Sequence, residues 1–137
     1  MMKRLRALGW LGLTLLPAVV FAGIERPYQP KQFDELTAVG APVVVSVQAS
    51  WCPTCRVQAP ILSRLMRDPL FANYTVFVVD FDKDRAALRR FRVIKQSTMI
   101  VFRGRTEVGR SIGDTNPTSI RNLMLRVGES ASAGAKP

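Results

Sequence analysis

Apolar residues follow two rhythms along this chain. Within Pro42 to Ala49, the run Val43-Val44-Val45-Ser46-Val47 is almost continuous and β-branched, and it predicts a strand buried on both faces. Tyr74 to Phe81 (YTVFVVDF) predicts a second strand, and Thr98 to Phe102 (TMIVF) a third. Elsewhere the spacing turns helical. Phe33, Leu36 and Val39 predict a short helix stopped at Gly40. Ile61, Leu62, Leu65 and Met66 repeat at helical spacing, as do Ala87, Leu88 and Phe91, with Asp82 or Asp84 as the cap of the latter helix. Ile120, Leu123, Met124 and Val127 line a last helix opened by Asn116-Pro117, with proline at its first position. Arg103-Gly104-Arg105 makes a tight turn, and the more polar Glu107 to Ile112 reads as an edge strand antiparallel to the third. Gly23 to Pro30 reads as a polar lead-in.

The resulting order is β-α-β-α-β-β-α, preceded by a helix. Strands alternating with helices predict an α/β class, with a central sheet flanked by helices on both faces. The final hairpin makes that sheet mixed. No internal repeat or second domain is visible. The folded domain is expected over residues 23–128, with ESASAGAKP (129–137) as a disordered tail.

The first 22 residues stand apart. Lys3, Arg4 and Arg6 precede an apolar run from Ala7 to Phe21, and Val20-Phe21-Ala22 carries residues that suit a signal peptidase. This is the pattern of a secretory signal peptide, with cleavage expected before Gly23 and a periplasmic destination. An uncleaved anchor is the alternative, but the run is short for a membrane span of about 20 residues and contains Pro17. No stable membrane insertion is therefore expected after cleavage.

Charge changes the picture little. Twenty Lys and Arg face ten Asp and Glu, for a net +10. Three of the cations lie in the leader, so 17 face 10 in the remainder. The arginines are dispersed and no RNA-binding or zinc-finger signature accompanies them, so a solvated basic surface is expected and nucleic acid is not an expected partner. Asp80, Asp82 and Asp84 alternate like the start of a calcium loop, but Arg85 and Phe91 stand where its glycine and glutamate belong. Strand-end and capping roles fit them better.

The candidate chemistry lies in ASWCPTCRVQAP, residues 49–60, which holds both cysteines of the chain. Cys52 follows the polar end of a buried strand, and Pro53 suits the first turn of a helix. Cys52 is then expected at a helix N-terminus, where unpaired N–H groups and the helix dipole favour thiolate over thiol. Cys55 lies one turn on, on the same face, able to close onto Cys52. Arg56 adds positive charge, and the chain has no histidine. Zinc needs four ligands, which two cysteines do not supply. Cu(I) accepts two thiolates, so a copper chaperone or sensor stands as the alternative. A static staple over so short a loop constrains little chain. Met66, Met99 and Met124 fall on apolar patterns and read as core, not as copper ligands.

With these residues in view, the sequence resembles the thioredoxin superfamily from about Phe33 to Val127. The resemblance rests on Trp51-Cys52-Pro53-Thr54-Cys55, on Pro60 at the distance of the family's helix-kinking proline, on VFVVDFD, and on Ser97-Thr98-Met99-Ile100-Val101-Phe102 before Gly104. It implies that Cys52 is the attacking nucleophile and Cys55 the buried, resolving thiol. It implies a thiol–disulfide oxidoreductase acting on protein disulfide substrates, with no cofactor beyond the cysteine pair. Trp51 is expected to cover the edge of the site, and Pro53 and Thr54, between the cysteines, to tune the pair.

The sequence departs from the family twice. A cis-proline usually precedes the threonine of the third strand and faces the cysteines; here Ser97 stands before Thr98. A cis bond before a non-proline residue costs about 2.5–4 kcal/mol, so the Gln96–Ser97 peptide is expected to be trans. Ser97 could then offer its hydroxyl to a sulfur, and Gln96, Ser97 and Thr98 would form a loop of altered shape on the substrate side. Lys95, on the same loop, could favour the thiolate. The second departure is Ser46, where the family often buries an aspartate that helps deprotonate the resolving thiol. Pro53-Thr54 lacks the histidine that helps oxidases in the family, so the expected direction leans to reduction or isomerisation. A membrane thiol carrier is the expected electron donor.

Overall fold

The computed structural model describes residues 22–132. Its elements are β1 (Ile24–Pro27), α1 (Pro30–Ala38), β2 (Pro42–Gln48), α2 (Pro53–Leu65), β3 (Thr75–Asp80), α3 (Arg85–Arg90), β4 (Thr98–Arg103), β5 (Thr106–Ile112) and α4 (Pro117–Ser132). A short 3-10 turn, Pro69–Phe71, leads into β3. The five strands form one sheet in the order β1-β3-β2-β4-β5. β1 and β2 both run parallel to β3. β4 is antiparallel to both β2 and β5.

The valine run explains why β2 lies near the centre. All residues from Pro42 to Val47 are buried, and successive side chains point to opposite faces of a strand. Val43, Val45 and Val47 enter a core with Phe33, Phe77, Phe91 and Phe102, beside α1 and α3. Val44 enters the other core with Leu62, Met66, Met99, Ile120 and Met124, beside α2 and α4. The three methionines are thus packing residues. Pro60 lies inside α2 without ending it; it lacks the N–H for the bond to Arg56, which bends a helix there.

Several expectations need correction. The lead-in is not irregular: Ile24–Pro27 pairs with Thr75–Val78. It carries no clear alternation because it is an edge strand, largely exposed, whose register is set by backbone bonds instead. Those include Ile24 N–H to the Tyr74 carbonyl (3.0 Å) and Tyr28 N–H to the Val78 carbonyl (2.8 Å). Helix α1 begins at Pro30, ahead of Phe33. Asp84 occupies the N-cap position of α3 but makes no side-chain cap; its carboxylate accepts the Asp80 N–H instead (2.9 Å). Helix α4 continues to Ser132, past Glu129 where the tail was expected to start. Residues 133–137 and the expected leader, apart from Ala22, lie outside the described residues. Among the described residues no helix is long and apolar enough to cross a membrane.

Candidate active site

The site forms where β2 ends and α2 begins. Cys52 is the N-cap of α2, with extended backbone and Pro53 at the first helical position. Its N–H donates to the Ala49 carbonyl (3.1 Å), and its sulfur accepts the N–H of Cys55 (3.1 Å). The sulfur therefore takes the place that a serine or aspartate oxygen takes at other helix starts. That N–H and the helix dipole both favour negative charge on Cys52. Cys52 and Cys55 are joined as a disulfide, with Cα atoms 5.3 Å apart. Both are buried, so what distinguishes them is the helix terminus, not exposure.

The Gln96–Ser97 peptide is trans, and Ser97 adopts a positive φ of 61°. Its hydroxyl lies 3.1 Å from the Cys52 sulfur and 3.3 Å from the Cys55 sulfur. Thr98 is buried, and its hydroxyl donates to the Lys95 carbonyl (2.6 Å), closing the loop onto itself. Gln96 is half-buried on that loop. Lys95 is exposed, and among the described residues no hydrogen bond or ion pair ties its ammonium to the sulfurs.

Trp51 stands half-exposed at the rim, its indole N–H donating to Asp82 (2.8 Å). Thr54 is half-buried in the first turn of α2. Arg56 turns to the Ser50 carbonyl (3.3 Å). Asp80 receives the N–H groups of Asp82 and Lys83, which is a turn-capping role. Ser46 is buried and its hydroxyl accepts from the Gln48 amide (3.1 Å). A cavity of about 330 Å³ reaches Cys55 between Gln48, Ala59, Val78 and Asp80, and Asp80 is the carboxylate on its lining.

Gln58 was not singled out from the sequence. It is buried on α2, and its amide nitrogen donates to the Ser97 carbonyl (3.2 Å) and the Asp114 carbonyl (2.7 Å). Its signal was a polar residue on an apolar stripe, since Cys55, Gln58 and Leu62 are the buried positions of α2.

One other feature does not belong to this chemistry. A larger cavity, about 1080 Å³, lies at the far end of β4, floored by Phe33, Phe91 and Phe102 and rimmed by Arg90 and Arg110. Arg90 is engaged by Asp34 and Tyr28. Arg110 is engaged by Glu107 and by the carbonyls of Phe91 and Arg92. No cysteine lines that cavity. Among the described residues no three or more His, Cys, Asp or Glu side chains gather as a metal site.

Comparisons with known proteins agree with this geometry. The thioredoxin family model matches residues 26–126. Thioredoxin H5 of Arabidopsis thaliana is 30% identical over 91 residues, covering 66% of this chain and 75% of that protein. A thioredoxin of Chlamydia pneumoniae is 29% identical over 94 residues, covering 69% of this chain and 89% of its own length. Among solved structures, Trxlp from Edwardsiella tarda EIB202 superposes with a TM-score of 0.71 at 44% identity, over 74% of this chain and 97% of that one.

Proposed function

The chain belongs to the thioredoxin family and is a protein-disulfide oxidoreductase, and from that premise we propose that it works in the periplasm as a reductase or isomerase of protein disulfides. The observation that carries the reaction is the Cys52 sulfur at the start of α2, accepting the N–H of the cysteine it is bonded to. In the reduced pair, the Cys52 thiolate attacks a substrate disulfide. A Cys52–substrate bond forms, and the displaced substrate sulfur leaves as a thiolate and takes up a proton. Cys55 loses its proton and attacks the Cys52 sulfur. The intramolecular disulfide forms, and the second substrate sulfur leaves and is protonated. The substrate gains two electrons and two protons, and the cysteine pair loses them.

The periplasmic placement is supported by the basic, apolar and small-residue succession of residues 1–22. The lean to reduction is supported by Pro53-Thr54, which lacks a histidine. A reductase outside the cytoplasm needs electrons from a membrane thiol carrier, since disulfides persist there. Two measurements test the reading. Insulin disulfide turnover should be lost in Cys52→Ser. The reduction potential of the pair should lie nearer about −270 mV, that of a reductant, than about −120 mV, that of an oxidant. Stoichiometric Cu(I) uptake with no turnover would transfer the pair to metal handling. Alkaline phosphatase fused after residue 22 should be active only if residues 1–22 export it.

A further inference from the structure

Ser97 holds a backbone conformation that its residue type resists, because at φ 61° the side chain crowds the following carbonyl oxygen. Three contacts hold it there. Its N–H donates to the Val47 carbonyl (2.9 Å), and its own carbonyl accepts the Gly113 N–H (2.9 Å). The third contact is the Gln58 amide, which donates to the same carbonyl (3.2 Å). Gln58 is only 3% exposed. Its remaining amide proton goes to Asp114, and its Oε1 has no partner among the described residues. Both partners are carbonyl oxygens, which accept and cannot donate, so flipping the amide would set oxygen against oxygen and leave Oε1 still unpaired. An unpaired buried acceptor is unfavourable, and a leucine or methionine of similar size would avoid it. The position thus keeps a polar residue whose two donors are used and whose acceptor is wasted.

We infer that Gln58 is a positioning residue for disulfide exchange: it clamps Ser97 so that one hydroxyl stands between both sulfurs and donates to whichever carries the charge. The hydroxyl has a single proton and two neighbours, at 3.1 Å and 3.3 Å. Sulfurs in a disulfide are poor acceptors. Once the bond is reduced and Cys52 ionises, the same contact becomes charge-assisted. The hydroxyl therefore stabilises the reduced, ionised pair more than the disulfide. It makes the Cys52 thiol more acidic and the disulfide easier to reduce. This rests on the reading that the pair exchanges disulfides, and it names the residues that set the poise of the exchange.

The test equilibrates the full chain with reduced and oxidised glutathione and reads the disulfide fraction by alkylation and mass. Two glutathione thiols supply the electrons and protons that open the pair, becoming glutathione disulfide. In Gln58→Met the equilibrium constant for that reduction should fall about tenfold, which is about 30 mV more negative. The pH midpoint for alkylation of Cys52 should move upward. Ser97→Ala should do the same, and the double variant should match Ser97→Ala alone, because both changes remove one interaction. A Gln58→Met protein that is less stable but has unchanged equilibrium and pH midpoint overturns the inference, as do additive effects. Should Gln58→Met not fold, the parent protein still decides: the Gln58 side-chain amide protons must exchange slowly and their resonances must shift on reduction. Fast exchange with no shift overturns it. A parent protein whose disulfide never equilibrates with glutathione sinks the oxidoreductase reading itself, which is a different result from an equilibrating parent that Gln58→Met leaves unmoved.

Discussion

The two halves of the redox site are held in opposite ways. The cysteine half is local: the Cys52 N–H reaches back to Ala49, the Cys55 N–H reaches back to the Cys52 sulfur, and Pro53 starts the helix. The serine half is assembled from afar. Ser97 meets the sulfurs across 45 and 42 residues of chain, meets Gln58 across 39, and is held further by Val47 and Gly113. A locally built half should survive perturbation elsewhere. A half assembled from remote parts should respond to changes in any of them.

The largest expected effect divides the local half itself. Cys52→Ala should abolish insulin turnover and form no adduct with a substrate disulfide. Cys55→Ala should also stop turnover but accumulate a mixed disulfide with substrate on Cys52, visible by mass. Equal adduct formation by both variants would erase the assignment of attacking and resolving roles.

Next in size is a change remote from the sulfurs. Gly113 has φ 71°, and a methyl group there meets nothing within 4 Å, so Gly113→Ala adds backbone strain without a clash. It should cost about 1–2 kcal/mol in urea unfolding and should also shift the glutathione equilibrium, because its N–H holds the Ser97 carbonyl. A loss of stability with no shift would mean that the serine half is not coupled as described. Pro53→Ala is the matching change in the local half. It should cost only about 0.4–1 kcal/mol, mostly by freeing the unfolded chain, and should keep the Cys55 N–H on sulfur. Smallest is Trp51→Phe. The lost indole bond to Asp82 is solvent-facing, so a drop of about 0.5 kcal/mol or less is expected by thermal unfolding.

The same division explains what the sequence disclosed. The valine run, the helical stripes and Trp51-Cys52-Pro53-Thr54-Cys55 are patterns within a few residues, and they led to the sheet, the helices and the sulfur at a helix start. Ser97 was found as a mismatch to the family, and its trans peptide followed from an energy cost. Its positive φ did not follow, because that depends on partners distant in sequence. Gln58 escaped because its single polar position between Cys55 and Leu62 has no local meaning until Ser97 and Asp114 are brought beside it. Strand β1 escaped because IERP carries its register in backbone bonds. Asp84 stands at the N-cap position of α3 as its sequence position suggests, but its carboxylate turns back to the Asp80 N–H, a partner four residues upstream that no capping pattern encodes.

Strand β1 also bears on the company this protein keeps. An exposed sheet margin can pair with a strand of another chain. One of the two margins of this protein's sheet, β1, is four residues long, with charges at Glu25 and Arg26 and a proline at Pro27 that has no N–H to give. Such a margin is a poor template for a passing strand. A client strand is therefore not expected to extend the sheet at this margin, which leaves β5 (Thr106–Ile112), seven residues long, as the longer of the two edges.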